Sequence, residues 1–118
     1  MAIRTLLQRN ALATAYGSAA PFGTVFTADP GATGTATGEA TGGAPAYARK
    51  AITWGAAAAS VITGAPVFDI ASGTTVTFAG VTVSSVLATA DVRDAVAVTS
   101  QSFASQGTYS VTFTYTQA

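Results

Sequence analysis

Over the first seventeen residues the apolar positions recur at helical spacing. In "IRTLLQRNALATAYG", Ile3, Leu6, Leu7 and Ala11 share one side, while Leu12 and Tyr16 project from another. The pattern predicts a short helix stopped by Gly17 and Ser18, with Pro21 soon after. From Phe22 the period changes to two. "FGTVFTA" reads as a strand that ends at the turn Asp29-Pro30-Gly31. Residues up to Ala46 show no periodicity and read as a long glycine- and threonine-rich loop. "YARKAITW" then resumes as a strand, with Ala48, Ile52 and Trp54 on one face and Arg49 on the other.

"GAAAAS" stays open between a helical turn and a bend. "VITGAPVFDI" reads as two short strands divided by Gly64 and Pro66. In "TTVTFAGVTVSSVLA", Val76 and Phe78 share a face until Gly80 shifts the phase, which points to a bulge. "VRDAVAVTSQSF" alternates through Val92, Val96 and Val98. After Gln106-Gly107, Tyr109, Val111, Phe113 and Tyr115 line one face of a last strand, opposite Ser110, Thr112, Thr114 and Thr116. These elements predict a mainly β fold: an antiparallel, jelly-roll-like β-sandwich of about seven or eight strands over residues 21–118. Residues 1–20 form an N-terminal arm and helix.

Composition sharpens this picture. The 118 residues suit one domain, and 49% are hydrophobic while only 8% are charged. About a quarter would be charged in an ordinary soluble domain. Five basic and five acidic residues cancel. Such a chain has no basic face for nucleic acid, and its neutrality favours association. The run from Ala51 to Phe68 is too rich in alanine and polar residues to span a bilayer. Gln8, Arg9 and Asn10 interrupt any signal-peptide core, so the chain reads as soluble and made without export.

Catalytic chemistry finds little to use. With no histidine and no cysteine, nucleophilic triads and thiolate metal sites are excluded. Lys50, the single lysine, has Tyr47 where an S-x-x-K serine would stand, and reads as a charge at a strand edge. Asp91 and Asp94 flank Arg93 and read as solvated turn residues with an Asp-Arg surface pair. Gly31, Gly34 and Gly38 miss the dinucleotide spacing, and Glu39 misses the last calcium-loop position by one residue. No enzyme and no cofactor is expected, and the loop reads as a surface connection.

The paired motifs "VFTADPGATGTA" and "YARKAITWGAA" resemble a family of small virion proteins encoded by phages of actinobacteria, often labelled tail-fibre or minor structural proteins. The matching positions are Thr27, Ala28, Asp29, Pro30, Gly31 and Gly34, then Tyr47, Ala48, Arg49, Ala51, Thr53, Trp54, Gly55 and Ala56. Phe26 and Lys50 depart from the family, which often has histidine and glutamine there, and the C-terminal third matches less clearly. The resemblance covers residues 11 to 85 or so and implies a virion component with no enzymatic role.

Small size, neutrality and the lack of a shaft then favour a capsid decoration (cement) protein on the capsid exterior. It would be made in the host cytoplasm, form a homotrimer and bind the major capsid protein. The alternative is a small tail fibre or minor tail protein that binds the host surface. Arg4, Leu6, Leu7, Arg9, Leu12, Tyr16 and Arg49 are the expected assembly contacts. Two readings of the helix stay open: it anchors the protein to the lattice, or it caps its own chain. Trp54 is expected in the core, and Arg49 at a subunit contact or in solvent.

Overall fold

The computed structural model describes residues 5–118. Ile3 and Arg4, expected on the helix and at the assembly contact, lie outside the described residues. The fold is mainly β, with one helix, α1 (Leu6–Ala19), and eight strands among the described residues. The strands are β1 (Phe22–Phe26), β2 (Lys50–Ala51), β3 (Val61–Gly64), β4 (Val67–Ile70), β5 (Thr74–Thr82), β6 (Val92–Phe103), β7 (Gly107–Ser110) and β8 (Phe113–Thr116). They form three antiparallel sheets: β2-β1-β5-β6, β3-β8 and β4-β7.

α1 runs past its expected stop to Ala19, where the Ala20 amide still bonds the Tyr16 carbonyl at 3.0 Å. Gly17 stays inside the helix because of what it touches. A Cβ there would lie 3.1 Å from both Ile62 and Trp54, so close docking offsets its poor helix propensity. The docked side therefore carries Ala13 and Gly17, both buried. Leu6, Leu7 and Ala11, which their spacing placed on one side, are exposed.

The two small sheets are halves of one kinked ribbon. Val61↔Thr116 and Gly64↔Phe113 in the first continue the same register as Val67↔Ser110 and Ile70↔Gly107 in the second. Between them Pro66 has no amide to offer, and the ribbon is bridged by Val111 N–H to the Pro66 carbonyl at 3.2 Å. The expected division at Gly64 and Pro66 is thus matched by a break at 111–112, yet the burial alternation of the last strand runs through both halves. Before the ribbon, Ala59 and Ser60 both have positive φ, 49° and 62°. Ala58 and Val61 exchange both backbone bonds around them, so "AAAS" closes as a two-residue hairpin turn.

β2 is only two residues long, although "YARKAITW" alternates like a longer strand. The edge of β1 explains this. Beyond the Gly23↔Lys50 pair, the Val25 amide donates to the Tyr47 hydroxyl at 2.9 Å, and the Val25 carbonyl accepts from Ala40 N–H at 3.1 Å. Further along, Thr27 N–H bonds the Gly38 carbonyl at 2.8 Å. A side chain and the returning loop satisfy this edge, leaving no ladder for β2 to join.

In β5 the phase shift comes earlier than Gly80. The register breaks between Val76 and Phe78, so that Val76, Ala79 and Val81 are all buried. Gly80 answers a different need: a Cβ there would lie 2.6 Å from the Asp94 carbonyl of β6. The same irregular pairing alters β6. Val92, Ala95 and Val98 are half-buried in place of the expected Val92, Val96, Val98 face, and Val96 is 59% exposed. Phe68, Ile70, Val111 and Phe113 of the ribbon join Val25, Val76, Ala79 and Val81 of the four-stranded sheet in one core cluster.

Candidate functional site

The densest chemistry lies where the glycine-rich loop, the start of β2 and the β5–β6 loop meet. Gly38 has φ 76°, and a Cβ there would crowd the Ala28 side chain at 3.1 Å and the Ala28 amide nitrogen at 3.3 Å. That conformation lets the chain turn back against β1, where Glu39 forms an isolated bridge with Phe26. The loop is held further by Gly31 N–H to Asp29 Oδ1 at 2.8 Å and Val92 N–H to the Gly34 carbonyl at 3.1 Å. The Ala44–Pro45 peptide beyond it is cis.

Glu39 points inward at Arg49. Arg49 Nε donates to Glu39 Oε2 at 2.7 Å and Nη2 to Glu39 Oε1 at 3.2 Å, a two-pronged ion pair. Nη1 donates to Asp91 Oδ1 at 2.8 Å and to the Ser84 carbonyl at 3.1 Å. The remaining Nη2 proton goes to the Thr89 carbonyl at 3.1 Å. All five guanidinium protons are thereby engaged.

The carboxylates are equally committed. Glu39 also accepts from Ala88 N–H and the Thr24 hydroxyl, and Asp91 Oδ2 accepts from Ser84 N–H at 2.7 Å. Thr24 passes the network to Tyr47, whose hydroxyl lies 2.7 Å away. Burial, opposed by the Thr24 and Val25 hydrogen bonds, pushes the Tyr47 hydroxyl up to about 12, so it stays neutral. Burial alone would pull the Arg49 guanidinium down, but hydrogen bonds to Glu39 and Asp91 outweigh it and raise its pKa. Burial would likewise push Asp91 up, and hydrogen bonds from Ser84 and Arg49 reverse that shift and hold it down.

This arrangement leaves the guanidinium no free donor with which to hold a substrate. Its effect is mechanical: Ser84, Ala88, Thr89 and Asp91 are tied to Glu39 and Arg49, fixing the β5–β6 loop. That clamped loop displays Val83, Val86 and Leu87 at 39, 63 and 36% exposure. A polar clamp holding an apolar tip in place suits a contact surface better than a reaction site.

Asp91 also makes the clamp sensitive to acid. Its folded pKa lies below the unfolded value of about 4, so its contribution is complete above that pH and is lost as the pH falls through the folded value. Amide protection in residues 84–91, relative to the intrinsic exchange rate at each pH, should therefore fall below about pH 4 before that of the rest of the fold. Asp91→Asn should flatten that dependence; an unchanged profile in the variant would remove Asp91 as its source.

The expected contact residues fall into three groups. Leu6 and Leu7 are exposed, Leu7 at 85%. Arg9, Leu12 and Tyr16 are half-buried, and the buried Arg9 Nε has no hydrogen-bond partner among the described residues. Arg49, expected at a subunit contact or in solvent, is instead 4% exposed. Two carboxylates and two carbonyls converge on it from inside the chain, and burial is the only place they can all be met.

Asp91 likewise pairs with Arg49 rather than with Arg93, and Lys50 reaches Asp69 at 3.5 Å. Glu39 and Tyr47 were weighed separately in the sequence without their link to Arg49, and Val86 and Leu87 were not singled out. One signal was present: Glu39 is the sole charge between Asp29 and Arg49 in a chain with only 8% charged residues. Among the described residues no three Asp or Glu side chains gather as metal ligands, and no helix is long and apolar enough to cross a membrane. The chain matches no family model, no curated protein and no solved structure.

Proposed function

We propose that this protein is a non-enzymatic structural component of a phage virion, a decoration protein that oligomerises on the head and stabilises the lattice. One observation carries the reading. A net-neutral chain with 8% charged residues exposes Leu7 at 85% and Val86 at 63%, the latter on a loop held by a buried ion-pair clamp. Rigid apolar side chains on a charge-poor surface are suited to being covered by neighbours. Binding where capsid subunits meet would stabilise the assembled state by mass action, with no bond made or broken. A trimer results where heterologous contacts close as a ring after three copies. The reading includes a two-layer sandwich, with the β3-β4/β7-β8 ribbon facing the four-stranded sheet, supported by the Phe68, Phe113, Val25 and Val81 cluster.

The test is to quantify the protein against the major capsid protein in separated heads and tails of purified particles. A high ratio in heads is expected; a few copies confined to tails would overturn the reading in favour of a host-binding tail component. Leu7→Asp and Val86→Asp should lower head occupancy while changing the stability of the free protein by less than about 1 kcal/mol. Undiminished occupancy in both variants would remove these side chains from the contact.

A further inference from the structure

A second site lies away from the Arg49 clamp, in a cleft of about 200 Å³ between α1, the β5–β6 pair and β8. Tyr16, Trp54 and Tyr115 supply aromatic walls, Val81, Val96 and Phe113 line it further, and Asp94 is its one charged group among the described residues. Tyr16 and Tyr115 stack at 3.8 Å with planes 8° apart, and Trp54 meets Tyr16 edge-on at 6.2 Å. No basic side chain lines the cleft, and Asp94 belongs to no ion pair among the described residues.

Hydrogen-bond bookkeeping identifies the complement. Tyr16 donates its hydroxyl proton to Asp94 Oδ2 at 3.1 Å, and burial followed by the Asp94 charge raises its pKa, so it remains a donor to Asp94. Trp54 Nε1–H is spent on the Ala20 carbonyl at 3.0 Å, and the Tyr115 hydroxyl on Gln117 Oε1 at 2.7 Å. The aromatic donors are therefore all committed within the chain. What stays open is acceptor capacity and aromatic surface, because each Asp94 oxygen receives one hydrogen bond and can accept another.

A sugar presents donors and acceptors alike, and its oxygens would find no free aromatic donor here, only the Thr114 hydroxyl at the rim. A cation that only donates fits what remains. The volume suits a single long side chain and falls short of a drug-sized ligand.

We propose that this cleft binds the side chain of one arginine presented by a partner protein. The guanidinium fork bonds both Asp94 oxygens, its plane lies against aromatic surface, and its methylenes cover the wall near Val96. This inference concerns the partner's chemistry and does not depend on the virion reading.

Titration of the full chain with N-acetyl-arginine amide tests it, followed by the fluorescence of Trp54, the only tryptophan. Saturable binding is expected in the millimolar range appropriate to one small group, weakening with added salt. N-acetyl-citrulline amide, neutral and nearly isosteric, should bind at least about tenfold more weakly, as should Asp94→Asn towards the arginine probe. Tyr115→Leu should also weaken binding, and unchanged circular dichroism verifies the fold of each variant. Equal binding of the citrulline probe, undiminished binding by Asp94→Asn, or no saturation by about 100 mM would overturn the proposal. So would saturation by methyl glucoside or by N-acetyl-lysine amide in place of the arginine probe.

Discussion

Replacing Arg49 with alanine removes about 3–5 kcal/mol of stability, the usual effect of breaking a buried ion pair from one side. Glu39 and Asp91 then face each other's charge without the guanidinium between them, and the Ser84 and Thr89 carbonyls lose their donor. Arg49→Lys recovers only part, because three ammonium protons in a compact head cannot reach five acceptor positions set for a planar fork. Swapping all three charged residues for apolar ones, often harmless in buried pairs, should not rescue this site. The part-buried Ser84 N–H and Thr24 Oγ1 would still need the carboxylate oxygens they now bond. Urea unfolding measures the loss, and amide exchange locates it in residues 84–91. An Arg49→Ala midpoint close to that of the native protein would show that the clamp is dispensable.

Phe68→Ala should be comparably severe, about 3–5 kcal/mol, through lost apolar burial and the cavity left behind. Phe68 has no exposure, its ring stacks near Tyr47 at 6.1 Å, and its tip occupies the space beside Gly23 where a Cβ would sit 3.1 Å away. The position matters because β4-β7 is a two-stranded sheet, marginal in water without a hydrophobic partner. Losing the ring that joins it to the larger sheet should release β4 and β7 first, so their amides should exchange ahead of those in β1 and β5. Phe68→Leu, which leaves a smaller cavity, should lose less. Thermal unfolding of both variants ranks them; an alanine variant as stable as the leucine one would contradict the cavity account.

How much of this could be read in advance differs by element. β1, the β3–β4 division and the alternating face from Tyr109 to Tyr115 were legible because local period and turn residues agree with their final burial. β2 was overestimated because its pattern is strand-like while its partner edge on β1 was already occupied by Tyr47 and Ala40. The residues sharing a face of α1 were grouped from their spacing, but which side docks was left open; close packing against Trp54 and Ile62 favours the Ala13 and Gly17 side, which bulky leucines could not approach.

The Arg49 clamp was illegible for a different reason. Its partners lie 10 and 42 residues away, and Tyr16 meets Asp94 across 78 residues. No spacing rule links positions so separated, and each charge read alone looks like a solvated surface group.

By itself the sequence determined the mainly β character, the opening helix, the turn positions and the charge-poor composition, because periodicity, backbone preference and composition are properties of neighbouring residues. Tertiary structure alone decided which charges are buried, which apolar side chains stay outside, and which aromatics share a cleft with Asp94. Those outcomes depend on competition for partners in three dimensions, where the Arg49 guanidinium can be buried because each of its donors finds an acceptor.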